Sequence, residues 1–77
     1  MDNTRSRLID CFRTVFPDVP EQQIPALSTE NTAAWDSIAA ITLLNVIEEE
    51  FQIPLDVGEI ATLNSFEEVR AYVERRS

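Results

Sequence analysis

Apolar residues in this chain recur at helical spacing in three separate stretches, and nowhere do they alternate at period two. That pattern confines the fold to helix packed on helix, because a helix with one apolar stripe must bury it against another element. In the first stretch Leu8, Ile9, Phe12, Val15 and Phe16 form the stripe. Asp2, Asn3 and Thr4 precede it as candidate N-caps, and Pro17 ends it by pushing Phe16 out of helical geometry. Residues 17–36 then form a long connection holding Pro17, Pro20 and Pro25. A loop of that length in a small domain implies a job for it. Ile24, Leu27 and Trp35 give it apolar anchors, so it is expected to lie across a helix pair and let the first two helices run roughly parallel or steeply crossed. The second helix is predicted from Ser37 to Phe51 with Asp36 as N-cap, closed by Pro54. Residues 56–61 support only a short helix, weakened by Gly58. The last helix opens on a Ser65-x-x-Glu68 capping box, with Glu67 and Glu68 in its first turn and Arg75 and Arg76 in its last. Phe66, Val69 and Val73 are its buried stripe, with Tyr72 beside them. The expected fold is all-α: a small four-helix bundle of three longer helices plus one short one, in a single domain over residues 1–77.

Size and composition narrow the function. A chain of 77 residues lies near the lower limit for folding without staples. Its one cysteine, Cys11, excludes an internal disulfide, and with no histidine there is no Cys/His zinc site. Cys11 sits at the edge of the first stripe and reads as a small half-buried hydrophobe rather than a reactive thiol. No apolar run approaches membrane-span length, and Met1-Asp2-Asn3 lacks the opening of a signal peptide, so a cytoplasmic protein with no membrane partner is expected. The formal net charge is −8, and all six basic residues are arginines near the two ends. Eleven acids and no base lie between Arg13 and Arg70. Such a field repels nucleic acid and anionic lipid and steers toward basic protein surfaces, while also keeping the chain soluble and monomeric.

The second helix has two unlike faces. At about 100° per residue, Ala40, Leu43, Leu44, Ile47 and Phe51 share one side, while Thr42, Asn45, Glu48 and Glu49 share the other. Ile38 and Ile41 fall with the polar set, beside Ser37. An exposed apolar spot with an acidic rim has the anatomy of an interface. Glu50 lies nearer the core side. Three acids at a helix C-terminus oppose its dipole at about 0.3–1 kcal/mol each.

Ser37 has no partner for nucleophilic catalysis. The chain contains neither histidine nor lysine, and Asp36 is better employed as a cap than as a base. A single glycine excludes a phosphate loop, and no acids show calcium-loop spacing. A serine in the first turn of a helix suits modification instead: an exposed hydroxyl on a fixed backbone, where open N–H groups favour a phosphate.

Asp36-Ser37-Ile38, Ile41, Leu44, Ile47-Glu48-Glu49-Glu50-Phe51 and Ile53-Pro54 closely resemble the acyl carrier protein family. The resemblance extends over nearly the whole chain, to the final helix opened by Leu63-Asn64-Ser65-Phe66-Glu67-Glu68-Val69. It implies that Ser37 carries 4′-phosphopantetheine, attached by a holo-acyl-carrier-protein synthase or another phosphopantetheinyl transferase from coenzyme A. Acyl groups would ride as thioesters on the prosthetic thiol, with Cys11 taking no part. Asp36 would serve as motif residue and cap, and Ile38, Ile41, Asn45, Glu48 and Glu49 would meet acyl-loading and acyl-processing enzymes through their basic docking surfaces. Ile38 stands where the family usually has Leu. Ala39 and Thr42 stand where fatty-acid carriers have acids, and Trp35 before Asp36 is more typical of stand-alone carriers in specialised pathways. An aminoacyl carrier of the D-alanyl or peptidyl kind is the nearest alternative, although the glycine-rich lead of the peptidyl kind is missing. An unmodified acidic helical adaptor for a basic partner is the alternative from another class.

Overall fold

The computed structural model describes residues 3–76. Four α-helices follow one another: α1 (Thr4–Val15), α2 (Ser37–Phe51), the single-turn α3 (Val57–Ile60) and α4 (Phe66–Arg76). The expected bundle of three longer helices and one short one is present, with one addition. The connection between α1 and α2 contains a 3₁₀ helix, Glu21–Ala26. Proline explains its form: Pro25 lies inside it and has no N–H for an α-helical ladder, while bonds from Gln23 N–H to Pro20 O (2.9 Å) and Leu27 N–H to Ile24 O (3.0 Å) close i to i+3 turns.

Ile24, Leu27 and Trp35 are buried as their anchoring role requires, and the 3₁₀ helix packs on α1 and α4. The connection is also bonded to the segment before α4, through Thr29 N–H to Asn64 O (2.8 Å) and Phe66 N–H to Leu27 O (3.0 Å). The expected parallel or steeply crossed arrangement of the first two helices is not what forms. Arg7, near the start of α1, meets Glu50 and Phe51 at the end of α2, while Trp35, just ahead of α2, meets Phe12 and Phe16 at the end of α1. The helices run antiparallel. The long connection wanders out as the 3₁₀ helix and returns to the end of the bundle it left, because that is where Trp35 finds its aromatic partners.

Those aromatics form the centre of the core. Phe12 lies edge-on to Trp35 at 5.4 Å and to Phe66 at 5.0 Å, and Phe16 is 6.0 Å from Trp35. Leu8, Ile24, Leu43, Ile47, Val69 and Val73 complete a set of fully buried side chains drawn from every long element.

Local capping differs from expectation in two places. Asn3 precedes α1 without a side-chain capping bond, Thr4 is already the first helical residue, and Asp2 lies outside the described residues. At α4, Ser65 Oγ accepts from Glu68 N–H at 3.2 Å, but Glu68 Oε1 accepts from Asn64 rather than Ser65, at 3.0 Å. The box closes one residue early.

Four residues cannot sustain a helix alone, so α3 depends on its attachments. Asp56 Oδ1 accepts from the N–H groups of Gly58 (2.7 Å) and Glu59 (3.2 Å). Gly58 therefore does more than weaken the turn: a Cβ there would meet that carboxylate oxygen at 3.1 Å. Tyr72 of α4 ties the turn down. Its hydroxyl accepts from Asp56 N–H at 3.2 Å and donates to Glu59 Oε1 at 2.9 Å, while Arg76 pairs with the same carboxylate. Tyr72→Phe keeps the ring but strands a partly buried N–H. We expect a loss of about 1–3 kcal/mol in urea unfolding, with faster amide exchange concentrated in α3.

Candidate functional site at the start of α2

Burial of Trp35 sets the geometry of the next two residues. A tight turn follows from Trp35 N–H to Thr32 O (3.0 Å) and Asp36 N–H to Ala34 O (3.1 Å). Asp36 is extended, and its Oδ1 accepts from Ala39 N–H at 2.9 Å while its carbonyl accepts from Ala40 N–H at 2.9 Å. It is an N-cap in geometry as well as in residue type. Ser37, the first helical residue, is exposed. The N–H groups of Ser37 and Ile38 have no carbonyl four residues earlier within the helix, so they are open to a phosphate on the Ser37 hydroxyl.

A cleft of about 240 Å³ opens beside Ser37 between Thr29 and Trp35 of the long connection, Ala40 of α2, and Ala61 and Leu63 after α3. Three distant pieces of chain meet there. An exposed hydroxyl, a capped helix start and an adjoining cleft fit a phosphodiester-linked arm. Ser37 Oγ would hold it, and the arm would supply a thiol able to form thioesters. Among the described residues no group of side chains gathers to bind a metal ion.

The outward face of α2 carries the anticipated apolar spot. Ile38 is 75 % exposed and Ile41 49 % exposed. Asn45 and Glu49 are exposed. Glu48 is differently employed: it is half-buried, and its Oε2 accepts from Leu55 N–H at 2.8 Å, fastening the chain after α2. Glu50 pairs with Arg7 at 2.8 Å, and the Arg7 guanidinium lies 4.3 Å from the centre of the Phe51 ring and donates to the Glu50 carbonyl. A cation therefore sits at the C-terminus of α2, offsetting the dipole conflict that the acids alone would create. Sequence reasoning missed Val57, 52 % exposed on α3, because a four-residue helix gives no periodic signal. It also missed Thr29, Ala61 and Leu63, which no local pattern connects to Ser37.

Cys11 is more buried than expected, at 3 % exposure, under a crevice between α1 and α2 bordered by Asp10 and Glu50. Burial, helped by the charges of Glu50 and Asp10, pushes its thiol up to about 11. Nothing brings it to Ser37.

The comparisons with known proteins agree with this arrangement. A family model described as phosphopantetheine attachment site matches residues 6–73. No curated protein and no solved structure matches the chain. The chain belongs to the phosphopantetheine attachment site family, whose members are carriers rather than catalysts and bear 4′-phosphopantetheine covalently on a serine.

The raised thiol has a testable consequence. The folded state keeps Cys11 protonated where the unfolded chain, near 9.0, begins to ionise. Its contribution to stability is thus complete below the unfolded value and is lost as pH rises from there through about 11. Iodoacetamide at mildly alkaline pH is expected to leave native Cys11 unmodified and to alkylate it on unfolding, as read by intact mass.

Proposed function

We propose that Ser37 is the serine that carries the prosthetic arm, and that the chain is a cytoplasmic, monomeric acyl carrier of a specialised lipid, polyketide or secondary-metabolite pathway, folded as one domain over residues 1–77. The observation that carries the assignment is the exposed Ser37 hydroxyl on a capped helix start, flanked by exposed Ile38 and Ile41. The other described serines are placed differently. Ser28 accepts from Asn31 N–H within a turn, Ser65 caps α4, and Ser6 lies between Arg5 and Arg7 on α1.

Each residue has a part in this reading. Asp36 fixes the first turn so that Ser37 Oγ meets a transferase at a defined position. The proton lost from that oxygen must pass to a base on the transferase, since this chain has neither histidine nor lysine. Ile38 and Ile41 dock by apolar contact, Asn45 and Glu49 contribute the polar rim, and Glu48 supports that rim by holding the following segment. A small rigid body with a tethered thiol serves several active sites, because tethering keeps the cargo at high local concentration around each partner. The absence of acids at Ala39 and Thr42 favours partners other than the standard fatty-acid enzymes.

Incubation with coenzyme A and a broad-specificity phosphopantetheinyl transferase tests this. We expect a single mass addition on the wild type and none on Ser37→Ala; equal gain on both sinks the assignment. Ile41→Ala and Glu49→Lys are expected to slow the transfer several-fold while leaving unfolding midpoints close to wild type. Unchanged rates in both variants would show that α2 docks by another face.

A further inference from the structure

We propose that the cargo of this carrier is a short acyl group held outside the helical bundle, because Trp35 closes the cleft beside Ser37 and the interior behind it is already filled. The inference rests on Ser37 being the attachment point. It concerns what that site accepts.

A group tethered at Ser37 first meets the cleft between Thr29, Ala40, Ala61 and Leu63. Toward the aromatic core the wall of that cleft is Trp35, which lines it yet is only 6 % exposed. The indole is not a loose flap. It stands edge-on to Phe12 at 5.4 Å and tilted against Phe16 at 6.0 Å, and Phe12 in turn is edge-on to Phe66 at 5.0 Å. Its backbone N–H is bonded to Thr32 O at 3.0 Å, so moving the ring also disturbs the turn that presents Ser37. Phe12 and Phe66 are fully buried, as are Leu43 and Ile47 on the inner face of α2. Ile60 of α3 is buried in the same core.

The physical balance follows from area. A chain entering the core gains in proportion to its own buried methylenes, whereas displacing the indole exposes one of the largest apolar surfaces a side chain can bury and breaks two ring contacts. A chain of a few carbons cannot recover that loss. A branched aliphatic in place of Trp35 would yield by changing rotamer, but a flat ring packed in one cluster with Phe12 and Phe16 has less such freedom. A short acyl group gains little from shelter and remains directly available to a partner's active site.

The wild-type protein is loaded from butyryl-, octanoyl- and dodecanoyl-coenzyme A by a broad-specificity transferase, and intact mass with a Ser37→Ala control establishes attachment. Melting temperature and Trp35 fluorescence are then compared with the form carrying the unacylated arm. We expect the emission maximum to be unchanged along the series. A melting temperature that is flat, or that rises without any emission change because a long chain rests on the exposed Ile38–Ile41 face, supports the proposal. A melting temperature rising by several degrees with chain length, together with an emission shift, overturns it. The Trp35→Leu variant, if Trp35 is the barrier, acquires a length-dependent rise that the wild type lacks; a folded variant without one overturns that role. If no mass is added at Ser37, the attachment reading itself fails and this inference falls with it, a result distinct from every chain-length outcome.

Discussion

The structure depends on the packing of Trp35 against Phe12 and Phe16. A connection of twenty-one residues between α1 and α2 carries a loop-closure and ordering cost, and something must fix where it ends. The indole does so at the end of α1, where Phe12 also holds Phe66 at the start of α4. One aromatic cluster therefore sets the antiparallel course of α1 and α2, seats α4, and places the next two residues at the surface. Asp36 can cap α2 and Ser37 can face solvent because residue 35 is anchored in the core.

Polar contacts between elements hold this frame. Arg7 neutralises the end of α2 through Glu50, and Glu48 fastens the chain that follows. Tyr72, Glu59 and Arg76 hold the single turn of α3 against α4. The salt bridges are largely exposed, so each contributes little by itself. Their value is positional. The side chains of Ile38, Ile41, Asn45 and Glu49 lie exposed on the α2 surface, leading away from Ser37.

Much of this was legible in the sequence. Helical spacing located the three longer α-helices and most of the core, and Asp36 before an amphipathic run identified both the helix start and the exposed serine. The 3₁₀ helix was not legible, because a proline-rich segment carries no apolar period. Helix direction was misread because loop length permits several courses, and only the partner chosen by Trp35 selects one. The double use of Glu48 and the pairing of Glu50 with Arg7 depend on contacts across 7 and 43 positions, which a helical wheel cannot show. The cleft beside Ser37 joins residues 29, 40 and 63, and Val57 sits on a turn too short to be periodic. Each omission has the same origin. Period reports which face of an element is apolar, and tertiary contact decides what covers it.

The central claim is that Ser37, held out by Trp35 and Asp36, is where the prosthetic arm is attached. Cleavage after Glu30 and Glu48 isolates residues 31–48, a peptide whose only serine is Ser37. Tandem mass spectrometry of this peptide from the modified protein is the most direct measurement. The account requires the whole added mass on that peptide, with fragment ions placing it on Ser37; the same mass on a peptide containing Ser6, Ser28 or Ser65 would contradict it.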